Sequence, residues 1–538
     1  MSEETSNVYD ALRVRGFAFK GRAVTGRLVF EGPLRVGGRD VQCELGLDPD
    51  FFVIPYIKLI SPAAVIKRKI TPHLGHDGTL CYLAAGAMVV DVFDPVGQTL
   101  ACLAQAERVL NGALEGKYLE DLEEEFQVYW GGELCLLDIQ DVHAELQAVV
   151  MTPSESGVFG AITDDYQRTL RKLQAIKRGG KQAPWPAFCV STGIKPRPNL
   201  DVWPPKTVGQ FLNWQGGLDV NCRKALERKM LKALQNGAPG VVLMVHSPLV
   251  RYCVGVLFRD SAVSGKRILR NKSWLYERRL FRLEGVRIDD CYVAERNTPG
   301  VRTLAGKKIV LVGAGTIGGY LAEMLVKAGA GTSGGQLIVV DPDYLFPQNL
   351  GRHRLGFSHL FKHKADALSE ELTGVSPGCK ISGVVEDVRH VELRGVDLLV
   401  NATGEEALGH WLCRYAREQP TLTVWIEGPG SAVRGLLKAS NRSACFRCLC
   451  DANREGALLA TEEPVEPLMA GNGCEGLYVP FPASVSVQAA SLAAEMVQAW
   501  CSEEPAPALR TRVIDQTRTL ATPDCDPLAN ADCPACCT

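Results

Sequence analysis

An apolar strand that runs straight into a glycine loop constrains this chain more than any other feature. Residues 307–315 read KKIVLVGAG, and the glycines continue as Gly313-x-Gly315-x-x-Gly318. A glycine loop that opens a helix is a phosphate cradle. The backbone approaches the anion closely, and the helix N-terminus points unpaired N–H groups at it. A second apolar strand ends at Asp341. A carboxylate about 20 residues beyond the loop, at a strand tip, suits a ribose hydroxyl. By itself this pattern fits a nicotinamide or flavin dehydrogenase. The following Asn349-Leu350-Gly351-Arg352 and His363-Lys364-Ala365 change that reading. Hydride transfer has no evident use for an Arg and a Lys just past the ribose acid. Attack on the α-phosphorus of a triphosphate does, because negative charge must be neutralised there.

The run VLVGAGTIGG, VVDPD, QNLGRHRL and HKADAL resembles the adenylation domain of the ThiF/MoeB and ubiquitin-activating (E1) family, over roughly residues 296–538. The resemblance implies an enzyme that uses ATP to adenylate the C-terminal carboxylate of a protein. It implies that Gly313, Gly315 and Gly318 carry the nucleotide loop and that Asp341 takes the ribose hydroxyls. Asp343 is a weaker candidate for the same region. Asn349, Arg352 and Lys364 are expected on the phosphates, with His353 and Arg354 sharing that work. Relatives hold magnesium through an Asp after the fourth strand. Here the segment is Asn401-Ala402-Thr403-Gly404-Glu405, so Glu405 is the nearest carboxylate. Arg296 stands where relatives place an arginine on the ATP phosphates, sometimes reaching into a partner subunit.

At 538 residues the chain is too long for one core, and three domains are expected. Hydrophobic residues make up 46% and charged residues 22%, as in ordinary globular protein. The net charge of −2 gives no support to a nucleic-acid or anionic-membrane binder. The opening MSEETSNVYD is acidic and polar, unlike a signal peptide. No apolar run approaches the roughly 18 residues of a membrane span. Nineteen cysteines in a long chain of this kind point to reduced thiols and a cytoplasmic location.

The expected architecture is a mixed α/β and α+β multidomain chain. Residues 1–154 form an α+β domain, 155–295 a middle or linker domain, and 296–538 a Rossmann-like adenylation domain. In the first, GRLVFEG, VQCELGL and FFVIPYIKLI read as antiparallel strands, and 95–115 and 117–130 as helices. The Lys/Gly/Pro-rich stretch 176–210 is expected to break regular structure. A helix (CRKALERKMLKALQNG) and a strand (GVVLMVH) follow it. In the last domain, strands and helices alternate at 308–313, 318–330, 337–341, 360–373, 396–402 and 405–417. That alternation predicts a parallel, doubly wound sheet.

A second reactive element lies at Thr71-Pro72-His73-Leu74-Gly75-His76-Asp77-Gly78-Thr79-Leu80-Cys81. It resembles the active-site loop of ubiquitin-conjugating (E2) enzymes, particularly bacterial ones, over roughly residues 10–150. The resemblance implies that Cys81 receives an activated carboxylate as a thioester. A thiolate attacks carbonyls well and leaves well, so the acyl group stays reactive toward an amine. The usual His-Pro-Asn is replaced by His73-Leu74-Gly75. His73, His76 and Asp77 are the candidates to stabilise the oxyanion.

Cys445-Phe-Arg-Cys448 and Cys533-Pro-Ala-Cys536 are two CxxC knuckles. A pair of knuckles completes a closed zinc site of four thiolates, and ThiF/MoeB relatives carry such a pair. Structural zinc is therefore expected, with Cys450 and Cys537 as possible substitutes. Cys474 lies between the knuckles in a Gly-flanked loop before a small-residue helix. Activating enzymes carry an acceptor cysteine on a crossover loop in that place, so Cys474 is assigned as the first acceptor thiol and Cys81 as the second.

The three parts together look like the E1–E2 fusion proteins of bacterial CBASS anti-phage operons. That resemblance implies a homodimer, ATP and Mg2+, and the C-terminus of a cGAS-like nucleotidyltransferase as substrate, joined to an acceptor amine. The chain ends in Cys-Cys-Thr and so does not look like its own substrate. Two other readings stay open: a ThiF-type sulfur-carrier activating enzyme of a biosynthetic pathway, and a dinucleotide-binding scaffold.

Overall fold

A computed structural model of the 538-residue chain describes all residues except 1, 2, 65, 67, 76, 85, 151–157, 177–182, 259–271, 441, 464, 466, 467, 472–477, 537 and 538. The chain forms two compact units. One comprises residues 1–135, 145–160 and 182–286, the other 136–144, 161–181 and 287–538.

The first unit opens with an antiparallel sheet of four strands in chain order: Ala18–Arg22, Leu28–Val36, Arg39–Leu47 and Tyr56–Leu59. Burial alternates along Leu28–Val36, as a strand with one solvated face requires. Leu28, Phe30 and Leu34 join Cys43, Leu45 and Leu47 in a core shared with Leu103, Ala106 and Leu110 of the helix Pro95–Leu114. Asp94 caps that helix by accepting from the Gly97 N–H at 2.8 Å. The hairpin between the second and third strands turns on Gly37 and Gly38, both at positive φ, which a two-residue turn of this hand demands.

The helix expected over 117–130 is instead two short ones, Asp121–Glu124 and Phe126–Trp130, broken at Glu125. Farther on, Arg251–Leu257 pairs antiparallel with both Gly240–His246 and Leu280–Arg287. Ala183–Ser191 pairs with Gly240–His246 and with Gln147–Val150. With Glu133–Asp138 and Val158–Thr163 these strands close a seven-stranded barrel. The stretch expected to break structure therefore contains the strand Ala183–Ser191. Its two prolines lie where it faces only Gln147–Val150, and the second partner begins at Ala187.

The second unit holds a seven-stranded sheet in the order Ile381–Val384, Gln336–Val340, Lys308–Val312, Leu398–Asn401, Thr421–Glu427, Ala432–Lys438 and Leu509–Val513. The first five strands are parallel, and the last two add by antiparallel pairing, so that only Ala432–Lys438 runs against the others. This is the doubly wound arrangement expected from the alternation. The helices Thr316–Lys327 and Lys364–Val375 bury Leu321, Leu325, Leu368 and Leu372 against Leu311 and Val339. The helix Ala483–Ser502 is rich in Ala and Ser, which lets it approach closely. A Cβ on Gly435 of the sheet would lie 2.4 Å from the Met496 sulfur on that helix. The chain order reverses between Lys308–Val312 and Leu398–Asn401, so their carboxyl ends open the crevice in which ligands bind in such sheets.

Candidate active site and metal centre

A cavity of about 740 Å³ opens at that crevice. Gly313, Gly315, Asp341, Arg352, Lys364 and Glu405 all line it, so most of the residues expected on the nucleotide converge there. Gly313 has φ +95, and a Cβ on it would meet the Thr403 side chain at 3.0 Å. Nothing lies within 4 Å of a Cβ on Gly315, which leaves open space above the first turn of Thr316–Lys327. No side chain caps that turn, so its N–H groups face the cavity side of the loop ready for an anion. Asp341 is buried, and its carboxylate accepts from the Ala314 N–H at 2.7 Å and the Asp343 N–H at 2.8 Å. Burial pushes its carboxyl above the ordinary value, although those N–H groups pull the other way. Asp341 thus ties the glycine loop to the second strand while still lining the cavity.

The cations are held differently. Lys364 donates to Asp343 Oδ2 at 2.9 Å. Arg352 donates to the Val479 carbonyl at 2.9 Å and lies 4.3 Å from the centre of the Phe481 ring. Desolvation lowers its pKa. Val479 and Phe481 also line the cavity. Arg389 sits at the rim in a bidentate pair with Asp387, which is drawn down to about 2 chiefly by that pairing. Sequence reasoning missed Asp387 and Arg389, and a pair two residues apart gives no signal without the fold.

Other expected residues lie elsewhere. Asn349 Oδ1 accepts from the Phe346 N–H at 3.0 Å and caps a short turn; it does not line the cavity. Gly318 is also outside the lining, but a Cβ on it would sit 1.8 Å from the Gly313 carbonyl oxygen, so it permits the loop to fold. His353 is buried, with Nε2 2.8 Å from the Ala314 carbonyl and Nδ1 accepting from the Leu355 N–H. Burial lowers its pKa to about 4, so it is a neutral brace behind the loop. Arg354 pairs with Glu323 at 2.6 Å. The backbone N–H of Arg296 closes the end of the helix Asp290–Glu295 on the Tyr292 carbonyl, and Arg296 does not line the cavity.

The four knuckle sulfurs come together. Cys445–Cys448 and Cys445–Cys533 are 3.8 Å apart and Cys448–Cys536 3.6 Å. Tetrahedral ligation at Zn–S ≈ 2.3 Å separates sulfurs by about 3.8 Å. No disulfide has that length. Ala444 and Ala535 wall the cluster. The donor set and spacing fit zinc. Cys450 lies apart from these four, beside Glu406 and His410. Cys537 is outside the described residues.

In the first unit Cys81 is exposed. Its N–H donates to the His73 carbonyl at 2.8 Å. Gly78 just before it has φ +90, and a Cβ there would lie 2.7 Å from the Leu59 carbonyl oxygen. Asp77 accepts from the Thr79 N–H at 3.1 Å and hydroxyl at 2.8 Å, which shapes the turn and lowers its pKa. The His73 ring is held between Asp121 at 2.9 Å and Glu125 at 3.4 Å. Partial burial, then the Glu125 charge, raise the Cys81 thiol pKa. The acidic surroundings of His73 and Cys81 were not anticipated. His76 and Cys474 lie outside the described residues. Ala470 and Tyr478 exchange backbone hydrogen bonds at 2.8 and 2.9 Å.

No helix among the described residues is long and apolar enough to cross a membrane. A doubly wound nucleotide fold with a four-cysteine cluster, on one chain with a small α+β module that exposes a cysteine, defines an E1-type adenylating enzyme joined to an E2-like domain. Sequence comparison agrees: residues 292–535 match the ThiF family and residues 20–134 match Prokaryotic E2 family B. The chain is 46% identical, over 99% of its own length and 98% of the relative's, to the ATP-dependent ubiquitin transferase-like protein Cap2 of Pseudomonas aeruginosa (strain BWHPSA011 / Pa011). Proteins of the same description from Vibrio cholerae and Escherichia coli are 25% and 24% identical, covering 82% and 84% of this chain and 83% and 84% of theirs. The chain belongs to the Cap2 family of ATP-dependent ubiquitin transferase-like proteins.

Proposed function

We propose that this protein activates the C-terminal carboxylate of another protein with ATP and passes it through two thiols to an amine. The convergence of Gly313, Gly315, Asp341, Arg352 and Lys364 on one cavity carries this reading. Asp341 would bind the ribose and the loop N–H groups the phosphates. Arg352 and Lys364 would neutralise charge as the carboxylate oxygen attacks the α-phosphorus and pyrophosphate departs. Glu405, one of the carboxylates in the cavity wall, would be available to magnesium.

The Cys474 thiolate then attacks the acyl carbon and AMP leaves. Cys474 precedes Val479 of the cavity wall by five positions in the chain. The Cys81 sulfur next attacks the thioester carbonyl and the Cys474 thiolate leaves. Finally an amine attacks, loses a proton and releases the Cys81 thiolate. His73 and Asp77 organise the Cys81 loop. Joining both thiols in one chain raises their effective concentration. The resemblance to CBASS fusion proteins makes the C-terminus of a cGAS-like nucleotidyltransferase the substrate to try first.

Purified protein with Mg-ATP and that substrate should exchange labelled pyrophosphate and form thiol-sensitive adducts. Cys474→Ala should keep exchange but lose every adduct. Cys81→Ala should keep the Cys474 adduct and lose conjugates. Unchanged conjugates in the Cys81 variant would refute the relay and favour the sulfur-carrier reading.

A further inference from the structure

The helices Glu406–Tyr415 and Phe446–Arg454 carry a second group of metal-binding side chains that the reaction above does not use. Glu406 and His410 are four residues apart and so share one helical face. Cys450 projects toward them from the other helix. One ligand atom from each of the three lies within 4.8 Å of the others, and Glu406 Oε1 is 3.6 Å from His410 Nε2. That last separation is near the ligand–ligand spacing of tetrahedral zinc and too long for a hydrogen bond. His410 Nε2 is buried and has no hydrogen-bond partner among the described residues. A buried imidazole nitrogen left unpaired is unfavourable, and a metal ion would satisfy it.

We propose that Glu406, His410 and Cys450 form a second divalent-metal site of the zinc class, distinct from the four-cysteine cluster. Cys448 and Cys450 are two residues apart on the same helix, about 200° around its axis, so the two sites use opposite faces. Carboxylate, imidazole and thiolate together select a borderline cation over magnesium or calcium. Binding releases the Cys450 thiol proton, and the Glu406 and Cys450 charges balance the dication. Arg454 pairs with Glu406 Oε1 and would share that carboxylate. Three protein ligands leave one position open, the pattern of zinc sites that hold water or a substrate oxygen. Glu406 and Cys450 also line a cavity of about 180 Å³ together with Glu405 and Glu427. That cavity shares Gly404 and Glu405 with the nucleotide cavity, so the two adjoin.

The test is metal content of the full chain after zinc saturation and desalting, read by plasma mass spectrometry. The wild type should hold two zinc ions per chain. His410→Ala and Cys450→Ser should each hold one, with the ion of the four-cysteine cluster retained. Cobalt substitution should show a tetrahedral spectrum in the wild-type-minus-H410A difference. Saturation of the wild type at one ion would overturn the proposal. So would a Cys450→Ser protein that still holds two ions, or one that loses both, since the sites would then not be independent.

Discussion

The nucleotide cavity and the Cys81 loop perform successive parts of one proposed reaction, yet they are built on opposite terms. The cavity is preorganised. Its glycine loop is tied down by Asp341 and braced from behind by neutral His353, and its cations are held by Asp343 and by the Val479 carbonyl. The Cys81 loop instead exposes its nucleophile, whose thiol pKa is raised by partial burial and then by the Glu125 charge. Attack on a phosphoryl group needs fixed positive charge in place before charge develops. An acyl-carrying thiol needs access for two large partners and protection from stray electrophiles. In the proposed reaction the first site would serve rate and the second restraint.

Substitutions should separate the two sites. The largest effect is expected from Lys364→Ala or Arg352→Ala, which should lower ATP–pyrophosphate exchange by about 10²–10³-fold. Neither should alter alkylation of Cys81 by iodoacetamide. A common loss at both sites would erase the contrast. Next in size, Cys533→Ser or zinc chelation should destabilise the second unit, because a closed site of four thiolates contributes folding energy directly. Differential scanning calorimetry should show that unit's transition falling while any transition of the first unit stays put. Gly318→Val forces a side chain onto the Gly313 carbonyl, and such overpacking commonly costs about 1–3 kcal/mol. Its thermal midpoint should fall and its exchange activity with it.

The smallest effect concerns the thiol side of the contrast. A nearby negative charge disfavours the thiolate, so partial burial and Glu125 raise the Cys81 pKa. Removing the charge with Glu125→Gln should move the alkylation–pH profile of Cys81 to lower pH. A shift to higher pH, or none, would show that Glu125 does not govern this thiol.

Much of the second unit was legible in the sequence. Its parallel strands are continuous apolar runs such as IVLV and LIVV, because both faces are buried, and glycine spacing marks the switch point. The CxxC pairs were legible because a knuckle fixes two ligands within four residues. What could not be read was tertiary. Asn349, His353, Arg352 and Arg354 are neighbouring polar residues with equal claims on a phosphate, and only folding turns His353 toward Ala314 and Arg354 toward Glu323. Cys450 resembled a spare knuckle ligand until the helix phase set it on the opposite face. Beyond the strand at Gly240–His246 the barrel was illegible, because pairings such as Ala183–Ser191 with Gly240–His246 join segments far apart in the chain and prolines disguise Ala183–Ser191. Asp121 and Glu125 fell inside the helix expected over 117–130, and only folding brings them to clasp His73 beside Cys81.

The proposed function turns on the relay between the two thiols, which a single-turnover chase can follow step by step. Protein loaded with labelled substrate in Mg-ATP is freed of nucleotide, quenched at intervals and digested to locate the thioester. The account predicts label first on Cys474, then on Cys81, then on an amine, with Cys81→Ala halting it at Cys474. Label that reaches the amine at the wild-type rate without ever residing on Cys81 would contradict it.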